Sequence, residues 1–218
     1  MKANGIKADR IFFSPHIVDE TVIASEKRKY NRDEVRKSLG IKRRDTVFLF
    51  NDMLEEESRP MVMAEAVAKL VEIENAKFIF AGDGSLLNKI QSLCNKNSIF
   101  LSKKKIDGAG YLLCATDVLV ICSDTCQWSR TVNVPMNWEL PVIVSDGCIA
   151  ARDLVIDGYT GYSFYKGDSN SLAVIMKRFL SSPNKAHRMG FAASSETKNY
   201  SLKQSASAII DAINYVTK

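Results

Sequence analysis

Short, wholly apolar runs alternate along this chain with longer segments of helical periodicity, and that alternation restricts its fold more than any other feature. Residues 46–50 (TVFLF), 78–80 (FIF), 99–101 (IFL), 118–121 (VLVI) and 142–144 (VIV) are β-branched, aliphatic or aromatic with no polar face. Such runs describe strands covered on both sides, as in a parallel sheet. Between them lies a helical stretch from Asn31 to Leu39, closed by Gly40. A second helix starts at Pro60, a favoured first-turn residue, with Met63, Ala66, Val67, Leu70 and Val71 on its buried face. Further helices are expected from about Ser85, up to Cys114, near residues 130–138, and from Asn170 to Leu180. Pro135 is expected to bend the helix that contains it. The last helix, Leu202 to Val216, presents Leu202, Ala206, Ile209, Ile210 and Ile213 on one face. The pattern predicts a Rossmann-like, doubly wound α/β domain with right-handed crossovers. Ligands bind such sheets beyond the carboxyl ends of the strands, at the switch point. The informative loops are therefore those after Phe50, Phe80, Leu101, Ile121 and Val144.

At 218 residues the chain supports one sizeable core but not two full α/β domains. Its 30 Lys+Arg against 25 Asp+Glu give a net charge of +5. The basic runs Lys27-Arg28-Lys29, Arg43-Arg44 and Lys103-Lys104-Lys105 are short and lie in loops, which speaks against a nucleic-acid partner. No apolar run approaches the ~20 residues of a membrane span. Five cysteines without a preceding secretory pattern imply reduced thiols and a cytoplasmic location. Cys122 and Cys126 lack the second Cys or His pair that a zinc site needs, and His16 and His187 are remote, so no metal or cofactor is expected. Residues 1–9 (MKANGIKAD) read as the end of a helix stopped at Gly5, with nothing before it to belong to. The expected organisation is an interdomain segment and tail of an upstream domain at 1–20, the Rossmann-like domain at 21–200, and a C-terminal helix at 201–218. That helix packs on the domain or crosses back to the missing one.

After the second strand, Gly82-Asp83-Gly84-Ser85 opens a helix. Glycines there let backbone N–H groups approach an anion, although a tight strand-to-helix turn explains them equally well. Six segments, in order, resemble the C-terminal domain of family 4 glycosyltransferases with the GT-B fold. They are residues 10–19 (RIFFSPHIVD), 78–85 (FIFAGDGS), 115–123 (ATDVLVICS), 140–146 (LPVIVSD), 153–155 (DLV) and 157–161 (DGYTG). The resemblance implies a domain that binds a UDP- or GDP-linked sugar for transfer to an acceptor held by a second domain, absent from this sequence. Positive side chains and helix N-termini would stabilise the departing diphosphate.

Carried over position by position, the family's diphosphate-binding residues are altered. Its arginine after the first strand falls on Met53 and its lysine on Ser58, and the glycine ending that strand becomes Asp52. Arg59 lies one residue past the lysine position; Asp52, Glu55, Glu56 and Glu57 make the loop acidic, which repels a diphosphate. The family's two glutamates, which engage the sugar and the ribose, fall on Cys126 and Val134, and its G-F-G turn reads Gln127-Trp128-Ser129. Losing four charged anchors, each worth roughly 1.5–3 kcal/mol, lowers affinity by several orders of magnitude. In plain structural terms Arg59 reads as a solvated or capping residue, Trp128 and Trp138 as packing residues, and Cys126 as a small neutral side chain. Tyr111 and Lys103 to Lys105 flank the loop expected near the base, and read as a solvated face. Three readings stay open: a glycosyltransferase half that still binds a nucleotide sugar, a non-catalytic GT-B-like scaffold, and a domain for another small ligand.

Overall fold

The computed structural model describes residues 5–14, 18–124, 128–148, 152–182 and 184–217. All five expected strands are present: β1 (Thr46–Asn51), β2 (Ala76–Ala81), β3 (Ser98–Leu101), β4 (Val118–Ile121) and β5 (Val142–Ser145). A sixth, β6 (Gly161–Phe164), completes a wholly parallel sheet in the order β3-β2-β1-β4-β5-β6. The chain therefore reverses its winding between β1 and β4, which creates the crevice at that point.

Alternation within each strand divides the core. Phe48 and Phe50 face one layer, and Val47 and Leu49 the other. The first layer packs under α3 (Pro60–Ala68), α4 (Leu87–Leu93) and α7 (Ser169–Leu180), through Met63, Val67, Ile90, Met176 and Phe179. Paired positions put Phe48 beside Phe78 and Phe50 beside Phe80, and Phe100 continues the row with its ring 5.4 Å from that of Phe80. The second layer lies under α5 (Gly108–Ala115), α6 (Val134–Asn137) and α8 (Lys185–Thr197), through Leu112, Leu113, Met136 and Ala193. Two further helices, α1 (Glu20–Lys29) and α2 (Arg32–Ser38), precede the sheet, and α9 (Leu202–Val216) ends the chain. Asp19, Asn31 and Asp168 cap α1, α2 and α7 by accepting backbone N–H bonds that the first helical turn cannot satisfy itself.

Below the sheet, at its amino edge, Asp117 ties three elements together. Its carboxylate pairs with Arg32 and Arg36, each at 2.5 Å, and accepts the Val47 amide at 2.7 Å. Arg36 is buried and also donates to the carbonyls of Ala115 and Asp45. Burial pushes the Arg32 pKa down, partly offset by Asp117.

Several expectations need correction. Val71 is exposed, because α3 ends at Ala68 and the chain turns before it. Pro135 does not bend a continuous helix: a π-helical segment, Trp128–Asn133, precedes it and Pro135 sits in the first turn of α6. Leu202, Ile209, Ile210 and Ile213 of α9 are exposed, while Ser205 is buried and bonds Ser14. Cys94, Cys114 and Cys122 are free, whereas Cys148 is disulfide-bonded, so reduced thiols do not hold throughout. Gly5 takes a left-handed φ of 78°, as a helix stop would, with residues 1–4 outside the described set.

Candidate functional site

The crevice between β1 and β4 opens into a cavity of about 440 Å³. Phe50, Asn51 and Asp52 form one wall, and Leu119 to Cys122 the other. Ala109 and Leu113 of α5, with Thr131, Val134 and Pro135 around the start of α6, close its sides. A second cavity of about 270 Å³ adjoins it, sharing Asn51, Lys103 and Ala109 and adding Ile106, Gly108 and Leu112. The lining is mostly apolar, with polar groups at Asn51, Asp52, Lys103 and Thr131. That is the usual make-up of a site for a flat, partly apolar ligand oriented by a few polar contacts. Among the described lining residues Lys103, itself exposed, supplies the one positive charge. Asp83 holds the short helical turn that starts there by accepting the Lys103 amide at 3.2 Å.

Beyond this cavity the loops after β1, β2 and β4 have a different character. Asp52 accepts the Met53 amide at 2.7 Å, and Met53 is exposed. Leu54 is fully buried, so the loop folds inward there and meets the turn after β2. Leu54 donates to Asp83 and accepts from Leu86, both at 3.0 Å. Gly82 and Gly84 serve this loop contact. A Cβ on Gly82 would lie 1.9 Å from the Asp52 carbonyl oxygen, and one on Gly84 would lie 2.3 Å from that of Leu54. The glycines thus give room to a neighbouring loop rather than to an approaching anion. Glu55 accepts the Ser85 amide at 2.7 Å and the Ser85 hydroxyl, so this chain's own carboxylate occupies the N–H group that the turn offers. Those two bonds, the hydroxyl first, lower the Glu55 pKa.

Ser58 is buried. Arg59 follows in a left-handed conformation (φ 52°, ψ 46°) and precedes α3 without a side-chain cap. It caps α3 through its backbone, its carbonyl accepting the Val62 amide at 3.2 Å, while its guanidinium is not freely solvated but reaches the Asp124 carboxylate at 2.7 Å. Lys166, just past β6, reaches the same oxygen at 2.8 Å, and Ser145 donates to the other at 3.2 Å. Partial burial pushes the Asp124 pKa up, but Lys166, Arg59 and Ser145 together outweigh that and leave it lowered.

Val134 lines the main cavity, as the position-by-position carry-over expects of the ribose site, yet contributes only an aliphatic wall. Trp128 and Ser129 lie in the π-helical segment before α6, whereas Cys126 and Gln127 lie outside the described residues. Trp138 is partly buried against the second core layer, with the Lys27 ammonium 5.9 Å from its ring centre. Tyr111 bonds Ser38. Burial pushes the Cys122 thiol far up, which removes it as a nucleophile. Among the described residues no group of three or more His, Cys, Asp or Glu is arranged to hold a metal ion. No helix among them is long and apolar enough to cross a membrane. Asp124 and Lys166 were not singled out from sequence. Asp124 lies three residues past the end of β4, and Lys166 follows β6, whose short Gly-Tyr-Ser-Phe run gives little strand signal.

A wholly parallel doubly wound sheet with a cavity at its switch point defines a Rossmann-like fold of GT-B C-terminal type. The family model for Glycosyl transferases group 1 matches residues 31–196, and the chain belongs to that family. No curated protein matches it significantly. Among solved structures it is similar to Anabaena Alr3699/HepE in complex with UDP, at 17% identity and a TM-score of 0.77 over 98% of this chain and 60% of that one. A glycosyltransferase from Rickettsia africae gives 15% identity and a TM-score of 0.78, over 98% of this chain and 59% of that one. The C-terminal domain of LpcC, a group 1 family glycosyltransferase from Francisella tularensis, gives 16% and 0.70, over 85% and 99%. The chain therefore spans little more than half the length of the HepE and Rickettsia proteins.

Proposed function

We propose that this chain is the donor-binding half of a family 4-type glycosyltransferase, keeping a seat for the nucleoside while its grip on the diphosphate is weakened. The observation that carries the proposal is the mostly apolar cavity at the β1–β4 switch point, bounded by Asn51, Lys103, Ala109 and Val134. HepE, which shares the fold, has been crystallised with UDP and with UDP-glucose, and this supports a uridine nucleotide as the ligand class. The greater length of HepE supports a second, acceptor-holding domain, across which the sugar would pass from the diphosphate to an acceptor. No residue of this chain is assigned a catalytic role, and turnover is not expected of it alone.

In this reading the base and ribose occupy the cavity. The diphosphate then extends toward the loop of Asp52, Met53, Ser58 and Arg59 and the π-helical segment before α6, which begins at Trp128 and Ser129. Gly82 and Gly84 support that loop from behind. Neither Met53 nor Ser58 offers a charge. Arg59 is already engaged by Asp124. A second reading, a GT-B-like scaffold or partner module that has given up donor binding, is favoured by those same internal ion pairs.

Calorimetric titration with uridine, UDP, UDP-sugars and GDP-sugars tests the proposal. Binding of uridine nucleotides in the millimolar range or tighter is the expected result. Heat from none of them would overturn it in favour of the scaffold, and a response to an unrelated metabolite alone would indicate another ligand.

A further inference from the structure

Two cations from distant parts of the chain, Arg59 before α3 and Lys166 after β6, converge on one carboxylate oxygen of Asp124. The carboxylate is held from behind. Ser145 donates to its second oxygen, and the backbone at Gly147 presses so close that a Cβ there would lie 2.6 Å from that oxygen. In front, the cations stay accessible, with 37% of the Arg59 side chain and 51% of the Lys166 side chain exposed, against 19% for Asp124. Counting Asp146, whose carboxylate accepts the Lys166 amide at 2.9 Å, the cluster carries no net charge; it sits two residues beyond Cys122 of the main cavity and spans the carboxyl ends of β4, β5 and β6.

From this arrangement we infer that Arg59 and Lys166 form a phosphate-binding site whose present occupant is the chain's own Asp124 carboxylate. A phosphate group presents more charge and more acceptor oxygens than a carboxylate, and a guanidinium can bind it through two parallel N–H bonds. An incoming phosphate draws both long side chains outward, away from the carboxylate. Asp124 opposes this in two ways: it competes for both cations, and it remains as a like charge beside the newcomer. The site is therefore an anion seat with a built-in competitor, and its affinity is set by residue 124. This deepens the reading of a nucleotide-sugar domain by locating where phosphate is held, yet its test needs no nucleoside.

The probe is inorganic pyrophosphate, titrated calorimetrically into the full chain at low salt. Asp124→Asn keeps the volume and a partner for Ser145 but removes the competing charge. The expected result is pyrophosphate binding at least tenfold tighter than in the native chain. Adding Arg59→Gln or Lys166→Gln to that variant is expected to abolish the gain. Unchanged or weaker binding in a folded Asp124→Asn variant would overturn the inference, as would a gain that survives both added substitutions. Amide chemical shifts of the native chain supply an independent reading. Pyrophosphate is expected to move Ser145, Gly147 and Lys166 saturably, and their indifference would overturn the inference even if the variant did not fold. Uridine binding reports on the cavity alone, so loss of the nucleoside reading and loss of this one are distinguishable.

Discussion

The two sides of the cleft, a few residues apart on the same strands, are built on opposite principles. On the side proposed for the nucleoside, Phe50, Leu113, Leu119 and Val134 leave an open apolar volume, with Asn51 and Lys103 at its border. On the side proposed for the phosphates, polar groups are numerous but already matched inside the chain, Glu55 on Ser85 and Asp124 on Arg59 and Lys166. An apolar cavity recognises a ligand by shape and loses little when a distant charge is replaced. A diphosphate seat depends on unspent charge, and a neighbouring carboxylate both neutralises it and repels the ligand. One fold can thus keep half of a binding site while the other half turns inward.

The largest expected effect tests whether the two sides share one scaffold. Asp117→Ala leaves Arg36 buried without its carboxylate and frees the Val47 amide. It should cost about 3–5 kcal/mol in urea unfolding and destabilise both sides together. Loss of one side's ligand binding without global destabilisation would show that the sides are separately supported. Next, Ala109→Trp fills the mouth shared by both cavities from an exposed helix position. Uridine binding should fall at least tenfold while pyrophosphate binding stays unchanged; equal losses would erase the distinction between the sides. Lys103→Gln should weaken UDP a few-fold and uridine less, because a cation at the border favours the charged ligand.

The smallest effect is on pH dependence. The folded-state pKa of Asp124 is lowered, so its contribution to stability is fully present above the unfolded carboxylate value and is lost as pH falls through the folded one. The stability gap between the native chain and Asp124→Asn should be less than about 1 kcal/mol at neutral pH and close on strong acidification. A gap that widens in acid would contradict the ion-pair account.

The sheet was largely legible from sequence, because strands such as TVFLF and VLVI carry their burial in composition. Missing from that reading were β6, α1 and α8, each for a physical reason. β6 opens with Gly161, whose added Cβ would lie 2.1 Å from the Val142 carbonyl oxygen, so close strand approach dictates that residue rather than strand propensity. α1 buries only Ile23 and shows no apolar stripe. α8 contains Gly190, placed against the Glu139 carbonyl oxygen at a distance no side chain tolerates. At the site, the altered positions Met53, Ser58 and Val134 could be read by alignment to a family pattern, since that needs only order and spacing. The pairing of Arg59 with Asp124 and Lys166 could not, because it joins residues from three separate loops and depends on where a left-handed turn sends one side chain.

The central claim, an open nucleoside seat beside a self-occupied phosphate seat, is tested most directly by the ratio of UDP to uridine affinity, measured by calorimetry at low salt. The account predicts that the native chain binds both, with UDP less than about tenfold tighter, a gain of under ~1.4 kcal/mol from the diphosphate. A UDP advantage of a hundredfold or more would contradict it, since the phosphate side would then be unoccupied by the chain's own carboxylates.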